Sequence, residues 1–427
     1  MPLIVPQIIS ERLSRPVAIL GGGVSGEGVS ELLDKIGARK AVYDAKGLEF
    51  TAAAAGQHDL VVFSPGFPPE HPWLRLARSG GALCLGELDF ASRFWRGRIV
   101  AITGTNGKTT LTEFITHALR SVGCKAVATG NIGHSFSRVI AETGGGEPTI
   151  TAVCEVSSFQ AESLSHFTAD ATLWPNFAED HLDRHSDLQA YFRAKWALVE
   201  RTAPGKFFMG SSARRSADKF ACTFPEGAAV ETEQQAADPR LAETVFADYP
   251  QRENFLLAAA WWRASGLDEG ALYAAARGFR VGRHRLSRVA EHDGVAFWND
   301  SKATNFHAVE AALGSFAVPV ILIAGGKSKG GDLAGFVSRI SARVRRVFLI
   351  GETRDALAEA CHARGVSCTV CATLEEAVTC AASSAHPGDH VLLSPGFASF
   401  DLFRNYEDRG DQFERLVRSL NFAPSLR

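Results

Sequence analysis

A glycine-rich segment between an apolar run and a helical stretch restricts the fold of this chain more than any other feature of its sequence. The apolar run covers residues 98–102, the segment Thr103-Gly-Thr-Asn-Gly-Lys-Thr-Thr110 follows it, and residues 111–121 have a helical pattern. The segment fits the P-loop pattern except at its first glycine, where this chain has Ile102. Because such a loop joins a buried strand to a helix N-terminus, it predicts a parallel α/β sheet with a phosphate site at one strand end.

The residue types of this loop suit the phosphates of a nucleotide. Gly104 and Gly107 allow the backbone to cradle phosphates, and Lys108 places a positive charge beside the β- and γ-phosphates. Thr109 or Thr110 supplies a hydroxyl group that can bind Mg²⁺. The loop alone therefore predicts a nucleotide-dependent protein without identifying its reaction.

A second glycine-rich turn, Gly21-Gly-Gly-Val-Ser-Gly26, lies near the start of the chain. It follows an apolar run at 17–20 and precedes a helical stretch, and Asp44 closes the next predicted strand. This arrangement is typical of dinucleotide-binding folds, although its glycines and helix N-terminus suit a diphosphate on any nucleoside. A tight turn that binds no ligand is the other interpretation.

Short Val/Ile/Leu-rich runs alternate with helical stretches along most of the chain, which is typical of α/β proteins with parallel sheets. A length of 427 residues is enough for about three domains. An Asp293-Gly294 turn between two apolar runs predicts a hairpin after residue 283. We predict boundaries that give domains at residues 1–96, 97–283 and 284–427.

Composition excludes several classes of protein. The net charge of -2 is atypical of nucleic-acid coats and membrane-surface proteins, and no apolar run approaches the roughly 18 residues that span a bilayer. Eight scattered cysteines do not suggest a disulfide framework, and Cys368 and Cys371 are interpreted as ordinary strand cysteines. We therefore expect a cytoplasmic protein with no nucleic-acid partner and no membrane span.

Acidic residues and histidines follow the P-loop along the chain. Glu155 ends a predicted strand, and the segment 179–185 places His181 and His185 four residues apart, on one face if that segment is helical. A zinc site is one interpretation, but the segment lacks the glutamate that follows the first histidine of zinc hydrolases. A solvated helix start is another. Lys195 lies further along the chain, where its spacing alone favours a surface lysine.

Several segments together resemble the ATP-dependent Mur ligases, and among them the glutamate-adding branch. The segments that carry the resemblance are Gly21–Gly26, Ser64–Gly66, Thr103–Thr110, Gly130–Gly133, Glu155–Gln160, Glu179–Asp183, Lys195, Asn254, His284–Arg285, Asn299–Thr304, Gly325–Asp332 and Ser394–Gly410. The resemblance implies a Rossmann-like N-terminal domain, a central P-loop ATPase domain with a mostly parallel sheet, and a Rossmann-like C-terminal domain.

The resemblance also implies a reaction. The family activates a carboxylate with ATP as an acyl phosphate, which an amine then attacks to form an amide, ADP and phosphate. For the glutamate-adding branch the substrates are UDP-N-acetylmuramoyl-L-alanine and D-glutamate, in peptidoglycan precursor synthesis. Two Mg²⁺ ions, a carbamylated lysine at Lys195 and a monomeric state are further implications. Ligation of L-glutamate or another amino acid, a P-loop ATPase of another class and a nicotinamide dehydrogenase are the alternatives.

Matching the motifs residue by residue gives the expected site. The residues expected in catalysis are Lys108, His181, Lys195, Arg285 and Lys302. Those expected at ATP are Gly104, Thr105, Asn106, Gly107, Lys108, Thr109, Thr110, Asn254, Arg285 and Asp300. Those expected at the UDP substrate are Val24, Ser25, Asp44, Lys46, Asn131, Ser157 and Gln160. Those expected at the amino acid are Thr304, Lys329, Ser399, Phe400 and Tyr406, and those expected at metal are Thr110, Glu155, His181 and carbamylated Lys195.

The chain departs from the family pattern in two places. The family often has Gly-x-His-Asn where this chain has Gln251-Arg-Glu-Asn254. The glutamate branch often has small residues before Ala398-Ser399, where this chain has Gly396-Phe397, and Phe400 follows Ser399. We expect the first difference to alter contacts on the adenine side and the second to reshape the amino-acid pocket.

Overall fold

The computed structural model of the protein describes residues 3–223, 228–233 and 237–420. By their internal contacts these residues form two compact units. The first unit takes in the described parts of 1–177, 189–247 and 251–279, and the second those of 178–188, 248–250 and 280–427. No helix in the described part of the chain is long and apolar enough to cross a bilayer.

The first unit begins with a parallel four-stranded sheet. Its strands are β1 (Val17–Leu20), β2 (Lys40–Tyr43), β3 (Leu60–Phe63) and β4 (Leu83–Gly86), in the order β2-β1-β3-β4. The accompanying helices are α1 (Gln7–Ser10), α2 (Val24–Lys35), α3 (Ala52–Ala55), α4 (Pro72–Ser79) and α5 (Glu87–Ser92). The sequence pattern predicts strands at 17–20, 41–44 and 60–64, each bound of which lies within a residue of β1, β2 or β3. It does not mark β4, which contains a cysteine and ends in a glycine.

A parallel six-stranded sheet follows in the same unit. Its strands are β5 (Arg98–Ile102), β6 (Ala126–Gly130), β7 (Thr151–Glu155), β8 (Ala171–Trp174), β9 (Phe207–Gly210) and β10 (Ala228–Val230), in the order β10-β9-β8-β5-β7-β6. Its helices are α6 (Lys108–Ser121), α7 (Phe136–Thr143), α8 (Ser158–Ala161), α9 (Leu188–Val199), α10 (Ser211–Lys219), α11 (Gln251–Ala264) and α12 (Glu269–Gly278). The central strands β5, β7 and β8 are buried almost along their whole length, which explains their continuous apolar runs.

These two sheets share one apolar core and a set of buried hydrogen bonds. The Asp89 carboxylate accepts backbone N–H groups of His166 and Phe167 at 2.8 and 2.6 Å. The Glu87 carboxylate accepts the Ser137 N–H at 2.7 Å. These carboxylates on α5 therefore tie the N-terminal sheet to loops and helices of the six-stranded sheet.

The second unit contains a mixed six-stranded sheet. Its strands are β11 (Ser287–His292), β12 (Val295–Asn299), β13 (Val320–Gly325), β14 (Val344–Ile350), β15 (Cys368–Val370) and β16 (His390–Leu393), in the order β11-β12-β16-β13-β14-β15. Its helices are α13 (Phe306–Gly314), α14 (Leu333–Ile340), α15 (Arg354–Ala363), α16 (Leu374–Ser384) and α17 (Tyr406–Ser419). Among these described strands only the β11–β12 pair is antiparallel, and the predicted Asp293-Gly294 turn joins it. Cys368 lies in β15 and Cys371 directly after it, and both are free thiols.

Candidate active site

The predicted P-loop connects β5 to α6. Gly104 and Gly107 have φ angles of +137° and +80°, in the region that favours glycine. A Cβ atom at Gly107 would lie 2.5 Å from the Asn254 Oδ1 atom, so the close approach of α11 also requires glycine there. The N-cap residue of α6 is Gly107, which has no side chain to cap the helix, and such an N-terminus favours an anion.

Two ammonium groups meet at one carbonyl of this loop. The Lys108 Nζ atom donates to the Gly104 and Thr105 carbonyl oxygens at 3.0 and 2.9 Å. The Lys195 Nζ atom, which comes from α9, donates to the same Gly104 oxygen at 2.9 Å. Lys195 is 1% exposed, and its Nζ atom lies 4.9 Å from the centre of the Tyr191 ring. The interpretation of Lys195 as a surface lysine, which spacing alone favoured, is therefore wrong.

Sequence analysis did not identify Asn176 and Glu253, which support the loop through hydrogen bonds. The Asn176 Oδ1 atom accepts the Asn106 N–H at 2.9 Å, and the Asn176 carbonyl accepts the Thr105 N–H at 3.1 Å. The Asn176 amide nitrogen donates to the Glu253 carboxylate at 2.9 Å. Asn176 follows β8 and Glu253 belongs to α11, so the only sequence signal was their position beside recognised elements.

Two oxygens beside the loop are suited to a metal cation. The Thr110 hydroxyl and the Glu155 Oε2 atom are buried and have no hydrogen-bond partner among the described residues. The other carboxylate oxygen of Glu155 accepts the Asn131 amide at 3.0 Å, which orients the side chain. Hydroxyl and carboxylate oxygens are the ligands that Mg²⁺ prefers, and Mg²⁺ commonly takes few protein ligands together with phosphates. These residues therefore fit a magnesium ion that is shared with a nucleotide.

The two histidines lie on a turn rather than on a helix. His181 has a φ angle of +56°, and its carbonyl accepts the backbone N–H groups of Arg184 and His185. Since the segment is not helical, the four-residue spacing does not place the two rings on one helix face. In the part of the chain that is described, no three His, Cys, Asp or Glu side chains form a metal-binding group, so nothing supports a zinc centre.

The first glycine-rich turn is closely packed and ends in an uncapped helix. A Cβ atom at Gly26 would lie 1.9 Å from the Gly21 carbonyl oxygen, which explains the need for glycine. The Asp44 carboxylate accepts the N–H groups of Gly22 at 2.9 Å and Lys46 at 3.1 Å, and these bonds lower the pKa of Asp44. Val24 is 60% exposed and begins α2, whose N-cap residue Gly23 has no side chain to cap the helix.

Three of the remaining residues expected at the UDP substrate, Asn131, Ser157 and Gln160, lie near β7. Ser157 is half-buried at the start of α8 beside a buried Ser158, and Ser25 is half-buried on α2. Ser157 and Gln160 form a capping box, with each side chain accepting a backbone N–H of the other, at 3.0 and 3.2 Å. Their polar groups thus stabilise the helix start that follows the Glu155 strand end.

In the second unit, five of the residues around one pocket are Asp180, Thr304, Asn305, Lys329 and Phe397. The Lys329 Nζ atom lies 2.7 Å from Asp180 Oδ1, and the Asn305 amide donates to Asp180 Oδ2 at 3.0 Å. Burial by itself would raise the pKa of Asp180, but Lys329 and the neighbouring histidine ring lower it to about 2. The pocket therefore contains a buried ion pair whose lysine is a candidate for binding a ligand carboxylate.

The other residues expected at the amino acid lie outside the lining of this pocket. Ser399 is buried, Phe400 is 69% exposed, and Tyr406 begins α17, where its ring lies 3.8 Å from the Lys302 Nζ atom. Of the two aromatic residues expected to reshape the amino-acid pocket, Phe397 thus lines the pocket and Phe400 faces solvent.

A buried polar network supports the segment after β12. The Asp300 carboxylate accepts the Ser394 hydroxyl at 2.8 Å and the Leu286 N–H at 3.1 Å, and burial raises its pKa to about 7. Arg409, which is fully buried, donates to the Ser301 hydroxyl and carbonyl. Arg285 is half-buried between two residues with positive φ angles.

Comparisons with known proteins show which families the chain resembles. Residues 102–236 match the family model described as Mur ligase middle domain, and residues 284–397 match the one described as Mur ligase, glutamate ligase domain. The chain is 34% identical to the UDP-N-acetylmuramoylalanine–D-glutamate ligase of Pelotomaculum thermopropionicum, over 95% of this chain and 98% of that one. It is 37% identical to the protein of that name from Nitratidesulfovibrio vulgaris strain Hildenborough, over 94% and 96%.

Solved structures show the same fold at lower identity. The UDP-N-acetylmuramate-alanine ligase of Thermotoga maritima matches with a TM-score of 0.60 and 15% identity, over 95% of this chain and 99% of that one. The pseudomurein peptide ligase type C of Methanothermus fervidus also has a TM-score of 0.60 and 15% identity, over 95% and 100%.

Proposed function

Because this chain belongs to the Mur ligase family, we propose that it is an ATP-dependent ligase that joins D-glutamate to UDP-N-acetylmuramoyl-L-alanine in peptidoglycan precursor synthesis. The relatives that bear this activity in their names are matched over nearly their whole length. The observation that carries the proposal in the structure is the P-loop, with an uncapped helix N-terminus, two lysines and two oxygens without a partner among the described residues.

The reaction has two steps. The γ-phosphoryl group of ATP passes to the terminal carboxylate of the UDP substrate, which gives an acyl phosphate and ADP. The amine of D-glutamate then attacks the acyl carbon, and phosphate leaves as the amide forms and a proton is lost. A carboxylate is a poor electrophile until it carries such a leaving group, so the site must hold the developing charge on the transferring phosphoryl group.

In the first unit we assign to the loop the groups that stabilise the charge on the phosphates. Lys108 and the first N–H groups of α6 bind the β- and γ-phosphates, and Asn254 lies against the loop with a buried Oδ1 atom that no described residue contacts by a hydrogen bond. Thr110 and Glu155 would hold Mg²⁺, which offsets phosphate charge when it is bound. Further assignments rest on the family match: His181 at metal, and Arg285, Asp300 and Lys302 near ATP.

We propose that Lys195 is carbamylated in the active enzyme. Carbon dioxide adds to the neutral Nζ atom and a proton leaves, so a cation becomes a carboxylate. The support is the shared carbonyl of Gly104, because two ammonium groups on one oxygen repel each other whereas a carbamate would attract Lys108. Such a carboxylate would suit a second Mg²⁺.

In the second unit we assign the amino acid to the Lys329 pocket. An ammonium group and the Thr304 hydroxyl suit the carboxylates of glutamate, and Ser399, Phe400 and Tyr406 are assigned on the family match alone. We retain residues 1–96, 97–283 and 284–427 as proposed domains for the UDP substrate, ATP and the amino acid. A monomeric, cytoplasmic enzyme is part of the same proposal.

A phosphate-release assay tests this function. With UDP-N-acetylmuramoyl-L-alanine and ATP, we expect turnover with D-glutamate to exceed that with D-aspartate by roughly tenfold or more, because they differ by a methylene that positions the side-chain carboxylate. Faster turnover with L-lysine or meso-diaminopimelate would contradict the glutamate assignment, and faster turnover with L-glutamate would contradict its stereochemistry. Equal phosphate release without either co-substrate would instead indicate a P-loop ATPase of another class.

A further inference from the structure

Glu253 is a buried carboxylate that the proposed reaction does not use. It is 2% exposed on α11, and its two oxygens accept the Asn176 amide at 2.9 Å and the Thr232 hydroxyl at 2.8 Å. Burial raises its pKa to about 7, although both of these hydrogen bonds act in the opposite direction. Since an acidic group costs free energy to bury, its place in the fold calls for a physical reason.

The reason lies in the orientation of the Asn176 amide. An asparagine amide has one accepting and one donating end, and the two can exchange by rotation of the amide about the Cβ–Cγ bond. An ionised carboxylate can only accept from Asn176, so above its pKa Glu253 holds the NH₂ end toward itself. The Oδ1 atom is then directed at the Asn106 N–H of the P-loop, at 2.9 Å.

The same turn of α11 contacts the loop at a second point. Asn254 follows Glu253, and its side chain lies so close to Gly107 that a Cβ atom there would be 2.5 Å from Oδ1. Glu253 acts on Asn106 through Asn176, whereas Asn254 lies against the next residue of the loop, Gly107. The first turn of this helix thus acts on two adjacent residues of the segment that would carry ATP phosphates.

We propose that Glu253 is a positioning residue for nucleotide binding, which fixes the Asn176 amide and thereby presets the P-loop backbone at Asn106. This inference rests on the proposed use of ATP. It is particular to this chain's own residue, because the family pattern often has histidine at that position, and histidine has a ring N–H that can donate where a carboxylate only accepts.

An exchange of donor and acceptor tests the inference. The probe is adenylyl imidodiphosphate with Mg²⁺, and its Kd is measured by titration calorimetry on the full chain. The titrations are made at pH 9, well above the pKa of Glu253, so that N176D places two ionised carboxylates against each other, and we expect its Kd to rise at least tenfold. Adding E253Q restores one donor and one acceptor in reversed order, while the carboxylate at position 176 still accepts the Asn106 N–H. The double variant N176D/E253Q should therefore recover most of the affinity.

Two further variants separate positioning from stability. E253M removes the acceptor at similar side-chain volume and should raise the Kd about tenfold. E87M removes another buried carboxylate of the same unit, which accepts the Ser137 N–H, and should lower the thermal midpoint without changing the Kd. If Glu253 only stabilised the fold, E253M and E87M would have the same nucleotide affinity.

The outcomes distinguish a failure of the inference from a failure of the proposed function. Recovery of affinity in N176D/E253Q supports the inference even if E253M does not fold. If the wild type binds the probe and N176D/E253Q binds no better than N176D, the inference is wrong while the proposed function stands. If the wild type does not bind the probe, the proposed use of ATP is wrong, and the inference falls with it.

Discussion

Replacing Asp300 by asparagine should stabilise the protein more at neutral and alkaline pH than at acidic pH. The carboxyl group is buried after β12, where it accepts the Ser394 hydroxyl and the Leu286 N–H. Asparagine has nearly the same shape and can keep the bond from Leu286 with its oxygen, while its NH₂ group can donate to the Ser394 hydroxyl. The substitution therefore removes the ionisation and leaves the packing in place.

The size of the effect follows from the difference between the folded and unfolded states. Burial raises the folded pKa of Asp300 to about 7. The unfolded chain has an aspartate pKa of about 3.9, so the folded state binds the proton more tightly and loses relative stability as pH rises between these values. At about 1.4 kcal/mol per pH unit, the loss accumulated near pH 7.5 is about 4 kcal/mol.

Hydrogen exchange measured by mass spectrometry on peptides from β12 and β13 reports the opening of this unit. Wild type and D300N are compared at the same pH, so intrinsic exchange rates cancel. We expect the opening free energy of D300N to exceed that of the wild type by about 1 kcal/mol at pH 4.5 and by about 4 kcal/mol at pH 7.5. D355N is the control, because Asp355 is 77% exposed on α15. A difference between D300N and wild type that is the same at both pH values would refute the reasoning.

Three substitutions at the P-loop and its neighbours test the proposed chemistry by phosphate release. Lys108→Ala should lower turnover by about 10² to 10⁴, because phosphate charge is left uncompensated, and near-normal turnover would contradict the loop assignment. Lys195→Arg should be inactive, because a guanidinium cannot become a carbamate. The control is Lys219→Arg on the surface of α10, which should leave turnover unchanged. An active Lys195→Arg enzyme would exclude carbamylation. Thr110→Val, which removes a buried hydroxyl at similar volume, should raise the Mg²⁺ concentration needed for half-maximal rate about tenfold, and an unchanged requirement would remove Thr110 from the metal site.

The sequence alone determined the local features of this protein. Glycine at 104 and 107 and lysine at 108 predicted the strand, loop and helix that the structure contains, because positive φ angles and a helix start leave a direct mark on residue type. The Asp293-Gly294 turn predicted the only antiparallel strand pair described for the second unit in the same way. Apolar runs located most of the buried strands, since strands covered on both faces have few polar residues.

Hydrophobic patterns in the sequence predicted secondary structure less well where a strand is short or polar. The sequence from 206 to 248 is polar and has only weak hydrophobic periodicity, yet its described residues include β9, α10 and β10. Pairing with neighbouring strands stabilises such elements, and it is not visible in their own residues. The segment that contains His181 is a turn, so the four-residue spacing of His181 and His185 did not mark a helix.

Only the tertiary structure decided which distant side chains meet. Lys195 reaches the Gly104 carbonyl across 91 residues of sequence, and Glu253 reaches Asn176 across 77. The pairing of Lys329 with Asp180 spans 149 residues. Side-chain periodicity shows that a residue faces the interior but not which partner it finds there, because that partner depends on strand order and helix packing across the whole unit.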